Sequence, residues 1–284
     1  ASAARPHLHA RVPAVVAEFR VPEFMDDYDV LSRGSCFPVL CGGRTRWLCS
    51  RHVTHPHMHA DDYFSANRAG SDLSWLREVR DEHIRLRLEW RSPGGDHAVE
   101  RVVDESTSVD GRRVTSRPHA DLDVAELIVP PQLMVPTTGA DDDVLASPAF
   151  TLGASVAERD AVHLVGHNLC VEGASDELQG RMVPNQEDGR IELVSGFRMI
   201  VSTGETVLQM GMCGGAVCTT RRRSDAVVPE DDKAEEDEDG VVVCGMIEGI
   251  LPAGTASGRN VADTYPEHAC VLSAEKLSEF LSMM

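Results

Sequence analysis

Lysine is nearly missing from this chain: of 27 cationic residues only Lys233 and Lys276 are lysines, and the others are Arg. Long apolar runs are missing too. The longest, 12–17 and 241–246, are strand-sized, far below the roughly 18 residues of a membrane-spanning helix, which is thereby excluded. Basic surface is scarce. A net charge of −19 argues against a general nucleic-acid binder, because neutralising phosphates needs cations. No CxxC spacing occurs, so a tetrahedral all-Cys zinc centre has no ligand set. The sequence asks for no metal and no cofactor.

What is present reads as an ordinary globular protein: 284 residues, 42% apolar and 26% charged, enough for one large or two small cores. The charge is concentrated. Residues 230–239 hold eight acids and one Lys, and 221–240 reads as a solvated loop between strands. The eight cysteines, 36, 41, 49, 170, 213, 218, 244 and 270, sit mostly in apolar runs, where free Cys acts as a small apolar residue. We expect no structural disulfide and an intracellular compartment. The opening ASAARPHLHARV, acid-free until Glu18, is compatible with the remnant of a mitochondrial transit peptide.

Residues 1–30 show weak periodicity and read as an extension. From Gly34 the grammar is short strands and turns: a hairpin around Gly42-Gly43, a short helix over 71–79, then HIRLRLEW, in which Ile84, Leu86, Leu88 and Trp90 alternate with polar residues as a half-buried strand does. VAELIV (124–129) is a further strand, and TTGADDD (137–143) is a linker. AVHLVG, IELVSGFRMIVST, AVCTT and VVVCGMI repeat the pattern, and Ser273 caps a terminal amphipathic helix. The expectation is an all-β chain with one C-terminal helix. HVTHPHMH (52–59) places His52, His55, His57 and His59 together, but Pro56 breaks any regular ligand spacing, so the run reads as a solvated loop.

Three segments carry residues with chemistry. WLCSRHV places His52 after a strand, ADLDVAELI places Asp123 before one, and GMCGGAV places Cys213 in a glycine-rich turn. Glycines around a nucleophile allow close backbone approach, as oxyanion stabilisation requires. The order base, orienter, nucleophile resembles the chymotrypsin-like (trypsin-fold) peptidase family, over roughly 34–281. Gly34-Ser35, Val165-Gly166-His167, Cys244-Gly245 and the terminal helix extend the resemblance, which is nearest to two-barrel members without disulfides. Departures are Cys213 for the usual Ser, Ala216 for Pro, Arg51 before the His, Met212 before the nucleophile and Glu126 within the apolar run.

The resemblance implies two six-stranded antiparallel β-barrels, over 31–136 and 144–272, with a helix at 273–284. It implies a Cys213–His52–Asp123 triad, an oxyanion hole from the N–H groups of Gly211 and Cys213, and a pocket beside Val207, Val243, Cys244, Gly245 and Met246 that takes an apolar or small side chain. The partner is then a polypeptide substrate. The second implication is a catalytically inactive peptidase-fold subunit that binds protein partners in a larger assembly.

Overall fold

The computed structural model describes residues 8–59, 74–91, 99–103, 113–130, 149–153, 155–170, 181–204, 206, 208–220, 240–251, 264–265 and 267–283. Val207, the acidic stretch 221–239 and the 137–143 linker lie outside the described residues.

The strands are β1 (Ala14–Phe19), β2 (Asp29–Cys41), β3 (Arg44–Cys49), β4 (Ile84–Arg91), β5 (Val99–Val103), β6 (Thr115–Pro118) and β7 (Ala125–Ile128) in the N-terminal part. They continue as β8 (Phe150–Leu152), β9 (Ala161–Leu169), β10 (Met182–Ser195), β11 (Arg198–Ser202), β12 (Ala216–Thr220), β13 (Val241–Ile250) and β14 (Ala269–Ser273). A one-turn helix α1 (Arg51–Thr54) follows β3, and α2 (Ala274–Ser282) ends the chain.

In the C-terminal part the order β12-β9-β10-β11-β14-β13 returns on itself through a β12–β13 ladder, giving a closed six-stranded antiparallel barrel. Closure removes edge strands. In the N-terminal part β5-β4-β1-β2-β3-β7-β6 forms a continuous antiparallel run, and an isolated bridge, Leu86 to Val114, links β4 to the residue before β6. Parallel pairings of β8 with β13 and β2 join the two parts.

Local sequence explains most elements. Gly42 and Gly43 adopt φ of +58° and +70°, as a tight hairpin turn between β2 and β3 needs. In β4, Ile84, Leu86, Leu88 and Trp90 are buried, as their alternation predicts. The first eight residues of β13 are all buried. Cys244 and Ile247 fill the barrel, while Val243 and Met246 fill a separate core shared with Phe37, Phe150 and α2. A strand covered on both faces has no polar alternation. Ser273 caps α2 by accepting from Lys276 N, and Leu277, Phe280 and Leu281 are buried.

Three expectations change. Residues 14–19, read within an N-terminal extension, form β1, whose six residues are all buried. Its one charge, Glu18, lies directly opposite Arg85 and meets the guanidinium groups of Arg85 and Arg87 at 2.6 Å each, which satisfies a carboxylate that otherwise breaks the apolar run. The helix expected over 71–79 is a short 3-10 turn, Ser74–Glu78, with 71–73 outside the described residues. The histidine run is not solvated: α1 and the 3-10 turn Pro56–His59 fold it inward, and His55 is 5% exposed.

Candidate active site

The strand register brings His52 and Asp123 together. Cys49, at the end of β3, pairs with Ala125 at the start of β7. The turn after one strand therefore meets the turn before the other, although the residues are 71 positions apart. Asp123 Oδ1 accepts from the His52 backbone N–H at 2.8 Å, and Oδ2 lies 2.6 Å from His52 Nδ1. The carboxylate thus fixes both the ring and the turn that carries it, leaving Nε2 for another partner. Cys213 stands near enough for its charge to act on the ring.

The turn that carries Cys213 is held from the N-terminal part. Ser35 N–H donates to Cys213 O at 2.8 Å. Ser35 Oγ donates to Gly211 O and accepts from His167 N–H, both at 2.9 Å. Gly214 N–H and Ser50 Oγ both donate to Ile247 O, at 2.8 and 3.1 Å, so one carbonyl of β13 anchors the His52 turn and the Cys213 turn alike. Two glycines are obligatory. At Gly214, φ is +82° and a Cβ would lie 2.1 Å from Ser35 O. At Gly211, φ is +101° and a Cβ would lie 2.7 Å from His167 O. Among the described residues, the N–H groups of Gly211 and Cys213 donate to no backbone carbonyl.

The charges follow from this geometry. Burial opposes a charge on His52, but the hydrogen bonds and charges of Asp123 and Cys213 outweigh it and lift the ring to about 10. Burial likewise opposes the Asp123 charge, and the His52 partner outweighs it, holding the carboxyl below its usual range. Burial pushes the neighbouring Cys36 and Cys49 thiols well up, so they stay protonated. At neutral pH His52 is held as an imidazolium against the Asp123 carboxylate, beside Cys213. That arrangement suits nucleophilic attack by sulfur, with His52 as proton donor.

The expected pocket residues are not gathered at the surface. Val243, Cys244 and Met246 are at most 1% exposed and pack core, and a Cβ at Gly245 would lie 2.6 Å from Leu272 O. The reason is the double coverage of β13, whose half-buried end begins only at Gly249 and Ile250. Beside the turn, Met210 is 61% exposed.

Sequence reasoning missed three supports. Ser35 was named only within the family resemblance and given no role, since a strand Ser is ordinary. Glu248 is buried and held by Arg198 at 2.8 and 3.2 Å; a charge within an apolar strand was the available signal. Arg51 was noted only as a departure, yet its guanidinium grips the Asp123 turn. No family model matches this sequence, and no curated protein matches it.

Proposed function

We propose that this chain is a peptidase of the chymotrypsin-like kind, hydrolysing peptide bonds through a Cys213–His52–Asp123 triad. One observation carries the reading: Asp123 holds both the Nδ1 and the backbone N–H of His52, with Cys213 near enough for its charge to act on the same ring. We read the N-terminal strands β1–β7, which take in 14–19 as well as the expected 31–136, as a second barrel beside the one in 144–272, with the site between them.

The Cys213 sulfur attacks the peptide carbonyl carbon as thiolate, and the oxygen takes the electron pair. The N–H groups of Gly211 and Cys213 stabilise that oxyanion. His52 gives its proton to the leaving amine, the C–N bond breaks, and a thioester remains. His52, now neutral, takes a proton from water. The hydroxide adds to the thioester, the C–S bond breaks, and the acid leaves. Asp123 holds the ring orientation throughout and stays ionised. The exposed Met210 beside the turn fits an apolar or small residue on the substrate.

The test is selective alkylation by iodoacetamide at about pH 6, where an ordinary thiol is slow. Peptide mapping is expected to find Cys213 labelled far faster than the other cysteines, with the selectivity lost in His52→Ala. Slow labelling of Cys213 that ignores His52→Ala in the folded chain overturns the enzyme reading and leaves a peptidase-fold binding protein.

A further inference from the structure

Asp123 works only if its short turn keeps the carboxylate at both the backbone and the ring of His52. The turn's inner bonds are few: His119 Nδ1 accepts from the N–H groups of Asp121 and Leu122 at 2.9 and 3.0 Å, and His119 N–H donates to Val124 O at 2.9 Å. The carbonyls of His119 and Ala120 take their donors from outside. Arg51 Nη1 reaches them at 2.9 and 2.6 Å. Its Nε donates to His59 Nε2 at 3.0 Å, and that nitrogen lies 4.0 Å from Asp123 Oδ1. One guanidinium therefore ties α1, the following 3-10 turn and the Asp123 turn.

We infer that Arg51 is a positioning residue: it clamps the 119–123 turn to α1, so that Asp123 meets the N–H and Nδ1 of His52 together. The inference rests on the proposed triad. The planar fork sets the angle between the two segments, which the point charge of a lysine cannot do. Through Nε the same guanidinium also fixes the His59 ring beside Asp123. The Arg beside His52, a departure from the family's small residue, is on this reading the part that holds the orienter in place.

The test uses the full chain with labelled histidine. Titration of the His52 ring by NMR is compared in wild type, Arg51→Ala, Arg51→Lys, Asp123→Asn and the Arg51→Ala/Asp123→Asn double variant, each checked for fold by circular dichroism. The expected result is that His52 titrates near 10 in wild type and about one pH unit or more lower in both Arg51 variants. That equals about tenfold or more in the ring's proton affinity. The double variant should match Asp123→Asn alone, because Arg51 acts only through Asp123. A purely structural arginine would lower thermal stability and leave the His52 midpoint where it was. An unchanged midpoint in the Arg51 variants, or an effect that adds fully to Asp123→Asn, overturns the inference. If Arg51→Ala does not fold, Arg51→Lys decides by the same criterion. Alkylation of Cys213 separates the two readings. Slow, His52-independent labelling with an Arg51-dependent His52 midpoint sinks the peptidase and keeps the clamp; fast labelling with an Arg51-independent midpoint does the reverse.

Discussion

Removing one oxygen atom, by Ser35→Ala, tests how the Cys213 turn is held. Ser35 is 0% exposed, and its hydroxyl bridges Gly211 O and His167 N–H at 2.9 Å each. The alanine leaves a buried carbonyl without its donor and a buried N–H without its acceptor. Each such group costs about 1–3 kcal/mol, so the loss for the two should be about 2–6 kcal/mol. Water cannot replace the hydroxyl, since the void of one oxygen is smaller than a water needs. The backbone bond from Ser35 N–H to Cys213 O is untouched, so the turn loosens at Gly211 rather than detaching. Urea unfolding should show a lower midpoint with an unchanged slope, and hydrogen exchange at the His167 amide should speed up. A stability loss below about 0.5 kcal/mol would mean that Gly211 and His167 find other partners, and the bridging role would fail.

Two further predictions concern buried charge. Arg46 binds Glu126 with both arms at 2.6 and 2.7 Å and donates to Leu281 O of α2 at 2.5 Å; Arg46→Ala strands a carboxylate that is 8% exposed and should cost about 3 kcal/mol in urea unfolding, while a loss under about 1 kcal/mol would show that Arg117, 3.9 Å away, suffices. Burial, only partly offset by Asp81, lowers His55 from 6.5 to about 4; the unfolded chain then binds this proton between those values and the folded chain does not, so stability present above pH 6.5 is lost as pH falls toward 4, by about 3 kcal/mol. His55→Gln should flatten that part of the stability–pH curve, and an unchanged curve would refute the assignment.

Much of the fold was legible because it is local. The alternation in β4, the Gly42-Gly43 hairpin and the Ser273 cap each depend on neighbours a few residues away, and each forms where periodicity and turn chemistry place it. The histidine run and β1 were misread because their partners are distant. Glu18 looks like an exposed charge until Arg85 and Arg87 arrive from β4, and Glu126 interrupts an apolar run until Arg46 arrives from β3, 80 positions away.

The site divides in the same way. Sequence by itself determined which residues have the chemistry: an Asp, a His and a Cys among glycines, in an order that resembles a peptidase. That glycine must stand at 211 and 214 came from the structure, where both have left-handed φ and a Cβ would meet His167 O or Ser35 O. Tertiary structure alone decided that Asp123 meets both the N–H and the ring of His52, because that depends on Cys49 pairing with Ala125. It decided that Ser35 joins a turn 176 positions away, and that Val243, Cys244 and Met246 pack core instead of a groove. Burial and charge pairing are properties of what lies across a sheet, and strand register, set by the packing of whole faces, is where that information resides.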